Sequence, residues 1–172
     1  MSSLDRLWAG WRSDYIEGVT KPRVPGDDDC VFCAILASGL PDTETHIVWR
    51  HPAGAAFAIL NAYPYTSGHL MVMPVRHVSE LEDLDPAEAT AIWDGVRDAV
   101  VAIKSAYEPN GLNVGANLGR AAGAGVPGHF HLHVLPRWNG DTNFMTSVAD
   151  TRVLPESLPT SATKIRTAWP PR

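Results

Sequence analysis

Cysteine is nearly absent from this chain, with two in 172 residues, Cys30 and Cys33. Two thiols cannot build a disulfide framework, so a hydrophobic core must hold the fold. Long apolar runs are missing as well: none approaches the ~20 residues of a membrane span. Residues 1–12 lack the apolar stretch of a signal peptide. Positive charge is in short supply, with 14 Lys and Arg against 19 Asp and Glu, a formal net charge of -5. No basic surplus exists to release counterions from a nucleic-acid backbone, although one local pocket on an acidic protein can still hold a small anion. The expectation is a soluble, cytoplasmic protein with neither membrane nor nucleic acid as partner.

What is present suits one globular domain: 45% hydrophobic and 19% charged residues, with no internal repeat. Residues 1–29 form an N-terminal segment in which Trp8, Trp11 and Tyr15 fall on one helical face, followed by a polar loop at 24–29. Residues 34–37 suit a short helical turn closed by Gly39 and Pro41. Three short strands are expected at 46–50, 55–60 and 69–74, separated by turn formers. A helix over 86–107 has Asp85 as N-cap, Pro86 at its first position and Glu88 completing a capping box. Its apolar stripe runs through Ala89, Ile92, Trp93, Val96, Val100, Ile103 and Tyr107, and Trp49 and Trp93 read as core. Two more strands follow at 112–117 and 129–135, joined by a Gly- and Ala-rich loop. A tail at 149–172, with four prolines, reads as extended. The fold class is α+β, a five-stranded antiparallel sheet with one long helix filling residues 30–148.

The pattern that carries chemistry is His129-Phe130-His131-Leu132-His133. On an extended chain alternate side chains share a face, so three imidazoles point one way and the apolar residues the other. Packing alone gives no reason for this. The imidazoles can ligate a metal, or they can line a phosphate site where one attacks and others hydrogen-bond to oxygens. Cys30-Val31-Phe32-Cys33 is a C-x-x-C pair whose readings are metal binding, redox chemistry or two small buried residues; no thioredoxin-like βαβ pattern surrounds it.

The run from Gly128 to Trp138 closely resembles the histidine triad superfamily, whose pattern is His-φ-His-φ-His-φ-φ with φ apolar. The resemblance extends upstream to Leu60-Asn61-Ala62-Tyr63-Pro64-Tyr65-Thr66-Ser67-Gly68-His69 and covers about residues 30–145. Leu7-Trp8, Trp11-Arg12 and Tyr15, the segment Arg76–Leu84, and Pro136-Arg137-Trp138 running into Gly140-Asp141-Thr142-Asn143-Phe144 resemble a bacterial diadenosine tetraphosphate phosphorylase subgroup.

That resemblance implies a homodimer formed through the long helix and an edge strand, acting on an adenine nucleotide or dinucleoside polyphosphate. It implies His131 as nucleophile on the α-phosphorus, with His133 and His69 as its catalytic neighbours. Inorganic phosphate or water then releases the nucleotide. Asn61 matches a ribose-binding position and is otherwise a turn residue before Tyr63-Pro64. Asn117 matches a position near the α-phosphate, and Gly123 and Gly125 are candidate backbone contacts. Zinc-containing relatives imply a structural site of Cys30, Cys33, His77 and His129, with no organic cofactor. A zinc held by all three triad histidines is the competing metal reading. One departure stands out: many superfamily members carry a glutamine or serine just before the triad, where this chain has Gly125-Val126-Pro127-Gly128.

Overall fold

The computed structural model describes residues 30–141 and 156–171. The expectations for Trp8, Trp11, Tyr15, the 24–29 loop and Thr142 to Phe144 lie outside them. Two short helices open the described chain, α1 (Val31–Ala37) and α2 (Asp42–Thr45). Then come β1 (Ile47–Arg50), β2 (Ala56–Leu60), β3 (Leu70–Pro74), α3 (Pro86–Tyr107), β4 (Gly111–Gly115), β5 (Leu132–Arg137) and α4 (Leu158–Ala168). The five strands form one antiparallel sheet in the order β1-β2-β3-β5-β4, as expected for the fold class.

Alternation along the central strands sorts their side chains onto two faces. Ala56, Ala58, Leu60, Leu70, Val72, Phe130, Leu132 and Val134 meet Ile92, Val96, Ala99 and Ile103 of α3. Phe57, Ile59, Met71 and Met73 point the other way, onto Cys30 and Phe32 at the start of α1. β2 and β3 are therefore buried on both faces, which is why they read as continuous apolar runs.

α3 begins where its signals place it. Asp85 accepts from the Glu88 N–H at 2.8 Å, and the Glu88 carboxylate accepts from the Asp85 N–H at 3.1 Å. Trp93 departs from expectation: it is 61% exposed. Ile92, Val96, Ala99 and Ile103 set the buried stripe, and one further residue turns Trp93 about 100° away from it. Gly95 lies mid-helix for a steric reason, since a Cβ there would stand 2.7 Å from the Trp49 ring and 2.9 Å from Val72. Gly95→Ala should therefore lower stability by about 1–2 kcal/mol, because overpacking of up to about 3 kcal/mol exceeds the ~1 kcal/mol gained in helix propensity. Chemical denaturation measures it, and a more stable variant would show that Trp49 can step aside.

The tail also departs from expectation over 158–168, where it is helical rather than extended. Ser157 caps α4 by accepting from the Thr160 N–H, and Pro159 sits in the first turn, where it costs no hydrogen bond. Ala162 and Ile165 pack on the α3 side of the core, and Trp169 stacks on Trp49 with ring centroids 5.6 Å apart. The segment leading into α4 also holds the far end of α3, where Tyr107 donates to Glu156. The Tyr107 ring presses on the turn before His69: at Gly68, with φ of +81°, a Cβ would lie 2.7 Å from it.

Candidate functional site

Regular pairing of β5 begins at Leu132, later than expected, so only His133 of the three histidines lies in the ladder. Pro74 ends β3 and has no N–H to extend that ladder. The chain at 129–130 is tied to the 74–78 segment instead: the Phe130 N–H donates to the Val78 carbonyl at 2.7 Å. The alternation persists all the same. Phe130 and Leu132 enter the α3 core, while the imidazoles of His129 and His131 each pack edge-on to Phe32, with centroids 5.5 and 5.6 Å away.

Hydrogen-bond partners fix which ring nitrogen of each histidine carries the proton. His131 Nδ1 lies 2.7 Å from the His129 carbonyl, which can only accept, so Nδ1 donates and Nε2 keeps its lone pair. His69 Nδ1 accepts from the Tyr65 N–H at 3.1 Å, so its Nε2 carries hydrogen and donates to His133 Nδ1 at 3.0 Å. His133 must then carry its proton on Nε2. One ring presents an electron pair and the next presents an N–H, and their centroids are 4.9 Å apart.

Burial enforces the neutral forms. It holds His131 below the ordinary imidazole range, partly offset by the carbonyl of His129. It takes His133 down to about 4, with His131 adding to the shift. Unfolded histidine titrates near 6.5, so between 6.5 and about 4 the unfolded chain binds the extra proton. Stability is therefore lost as pH falls through that window. His133→Asn should flatten the fall in melting temperature between pH 7 and pH 4. Parallel curves for the variant and the wild type would contradict the assignment.

Asn61 contacts both its own turn and His69. Its Oδ1 accepts from the Tyr63 N–H at 2.9 Å as a turn residue, and its Nδ2 lies 3.4 Å from His69 Nδ1. Asn117 closes the glycine loop by donating from Nδ2 to the Gly123 carbonyl at 3.4 Å. Gly123, with φ of +90°, ends the 3₁₀ turn Arg120–Ala122, and Gly125 follows in the same loop. Sequence reasoning gave no role to Phe32 or Tyr65. The Tyr65 ring lies 4.8 Å from His69 and 6.4 Å from His133, beside the histidine pair. Its place in the Tyr63-Pro64-Tyr65 turn is the only signal that could have marked it.

His129 stands apart from the other two. Its Nε2 donates to the Pro74 carbonyl at 2.9 Å, leaving the Nδ1 lone pair 3.4 Å from Cys30 Sγ and 3.7 Å from Cys33 Sγ. His77 Nδ1 lies 3.4 Å from Cys33 Sγ. The four ligand atoms all fall within 4.8 Å of one another, so the group can hold a metal ion. Bond lengths of about 2.3 Å to sulfur and 2.0 Å to nitrogen give a tetrahedral S···N edge of about 3.5 Å, and the observed separations fit it. His131 and His133 do not belong to this cluster, so the reading in which one metal takes all three triad histidines is not supported among the described residues. None of the described helices is long and apolar enough to cross a membrane.

Comparison with known proteins agrees with this geometry. A HIT domain family model matches residues 42–140. An AP-4-A phosphorylase of Mycobacterium tuberculosis is 39% identical over 169 residues, covering 96% of this chain and 85% of that protein. A Schizosaccharomyces pombe bis(5'-nucleosyl)-tetraphosphatase (asymmetrical) is 35% identical over 97 residues, 56% of this chain and 52% of that protein. Among solved structures, a zinc-bound histidine triad family protein from Mycobacterium smegmatis superposes with a TM-score of 0.66 at 29% identity, covering 83% of this chain and 94% of its own. Domain match, relatives and ring arrangement converge: the chain belongs to the HIT family and is similar along nearly its whole length to AP-4-A phosphorylase.

Proposed function

We propose that this chain is a nucleotidyltransferase that cleaves diadenosine tetraphosphate by phosphorolysis, giving ATP and ADP. The observation that carries the reading is the opposed polarity of two adjacent rings, a lone pair on His131 Nε2 and an N–H on His133 Nε2. The AP-4-A phosphorylase relative supports the choice of substrate.

In the first step His131 Nε2 attacks the α-phosphorus, forming a P–N bond as the bridging P–O bond breaks. The electron pair leaves with ATP, whose departing oxygen His133 Nε2–H is suited to receive. The His129 carbonyl stabilises the charge that develops on the His131 ring, through the Nδ1 proton. In the second step an oxygen of inorganic phosphate attacks the same phosphorus, the P–N bond breaks, and its electron pair returns to Nε2. Asn61 would bind the ribose hydroxyls, while Asn117 and the backbone of Gly123 and Gly125 would lie along the α-phosphate. His69 holds His133 in the productive tautomer.

Zinc on Cys30, Cys33, His77 and His129 would be structural, because four protein ligands leave no open position. Cytoplasmic conditions keep such thiols reduced and available. A homodimer would cover the edge strand β4 with Val114, and also the exposed Trp93 and Val101 of α3.

The alternative is a hydrolase or phosphoramidase of the same family, releasing AMP to water. The tetraphosphatase relative favours it. Incubation with diadenosine tetraphosphate, with and without phosphate, separates the two. ADP that depends on added phosphate supports phosphorolysis; AMP in equal yield under both conditions would replace it with hydrolysis.

A further inference from the structure

His69 sets the proton on His133, so whatever fixes the His69 ring bears on the chemistry. The ring is buried and moves with its own backbone, because its Nδ1 accepts from the Tyr65 N–H in the same turn. Residues 66–69 come just before β3. Here the His69 N–H donates to the Thr66 carbonyl at 3.1 Å, and the Thr66 hydroxyl donates to the Pro136 carbonyl at 3.0 Å. Beside this turn, among the described residues, lies a cavity of about 200 Å³. Leu60, Ser67 and Gly68 line it from the turn, and Glu156, Ser157 and Leu158 line it from the tail. A gap of this kind withholds packing contacts from its lining.

Tyr107, at the end of α3, joins the two segments that line the cavity. A Cβ on Gly68 would stand 2.7 Å from the edge of its ring, so the ring rests directly on the Gly68 backbone. Its hydroxyl donates to Glu156 on the tail. The same carboxylate accepts from Ser161 Oγ at 2.6 Å and from Lys164 Nζ at 2.5 Å. The Lys164 nitrogen also sits 5.3 Å from the centroid of the Tyr107 ring. Trp138, one residue past β5, meets that ring edge-on with centroids 6.3 Å apart. The last turn of α3, the first turns of α4 and the chain leaving β5 thus converge on one ring. Hydrogen bonds to a carboxylate are strong, so Tyr107 is a fixed stop for the turn before His69.

We propose that Tyr107 is a positioning residue: held by Glu156, its ring fixes the Gly68–His69 backbone, and through His69 the proton that His133 presents to the leaving oxygen. The proposal rests on the roles given above to His131 and His133, and is the same whether phosphate or water is the acceptor. A hydrogen bond near 3.0 Å, such as that from His69 to His133, weakens quickly once its donor is displaced or misaligned. A misplacement of about 1 Å at a reacting group can cost about 10²-fold in rate. A ring that touches neither substrate nor His133 can therefore govern the leaving-group step.

The test joins a rate to a spectrum. Total consumption of diadenosine tetraphosphate at saturating phosphate gives kcat for wild type, Tyr107→Phe and Tyr107→Leu, each also in a His69→Ala background. Tyr107→Leu removes the ring and should lower kcat about tenfold or more. Tyr107→Phe keeps the ring but frees it from Glu156, and should cost about threefold, in line with one lost hydrogen bond. In the His69→Ala background both losses should shrink to within about twofold, since no His69 ring remains to be positioned. A general effect on stability would persist there. NMR of the imidazole nitrogens at one pH should show His133 with hydrogen on Nε2 in wild type. Tyr107→Leu should give a mixture of tautomers, and Tyr107→Phe the same change in smaller measure; if Tyr107→Leu does not fold, Tyr107→Phe carries both readings. The proposal is overturned if a variant loses the same factor in both backgrounds, or if a folded variant keeps the wild-type rate or the wild-type His133 shifts. If wild type leaves diadenosine tetraphosphate intact, the reaction assigned above fails, and the His133 shifts alone decide the role of Tyr107.

Discussion

Replacing His131 with asparagine should lower kcat on diadenosine tetraphosphate by at least about four orders of magnitude, with the fold intact. The size of the effect follows from the mechanism. Without Nε2 no P–N bond can form, and the remaining groups can only assist direct attack on the α-phosphorus. Asparagine can retain an N–H toward the His129 carbonyl, so the local chain should hold its path. His133→Asn should cost less, about 10²–10³-fold, because it removes one hydrogen-bond donor to the leaving oxygen and keeps the nucleophile. The order of these two losses is informative. If His133→Asn were the more damaging, the ring polarities would be misassigned. Steady-state rates together with circular dichroism of each variant give the comparison.

Removing the metal from protein loaded with zinc should lower the melting temperature by about 8–16 °C. An ion present at 1,000 times its dissociation constant contributes about 4 kcal/mol, and each kcal/mol moves the midpoint by about 2–4 °C at this chain length. The ligands span the fold: Cys30 and Cys33 flank or lie in α1, His77 follows β3, and His129 enters β5. A metal here would therefore tie three separate segments together. His129 also links the cluster to the chemistry. Its Nδ1 faces the thiols while its carbonyl holds His131 Nδ1. Cys33→Ser should reproduce both the lower melting temperature and reduced metal content. Loss of turnover on chelation that zinc restores, with no change in melting temperature, would contradict a structural role.

Much of this was legible in the sequence, because the relevant signals are local and redundant. Asp85, Pro86 and Glu88 marked the start of α3, the apolar stripe marked its extent, and the helix occupies Pro86–Tyr107. The histidine run needed only the period of an extended chain to place its rings on one face, and that held even where the ladder itself does not reach His129. Other features depend on what lies across the fold. Prolines at 155, 159, 170 and 171 suggested an extended tail, yet Pro159 lies in a first turn where proline fits, and Ala162 and Ile165 supply the burial. Trp93 fitted an apolar pattern but falls one residue off the buried stripe. The sequence gives no hint that Asn61 would divide its amide between Tyr63 and His69, nor that Phe32 would pack against two triad rings.

The most direct test of the central claim is to trap the intermediate. Wild-type protein mixed with diadenosine tetraphosphate in the absence of phosphate, quenched at alkaline pH where phosphoramidates survive, can be digested and mapped by mass spectrometry. The account predicts one AMP adduct, carried by the peptide containing His129, His131 and His133 and located on His131, and its disappearance when phosphate is added before the quench. An adduct on any other residue, or steady turnover with no adduct under trapping conditions, would contradict it.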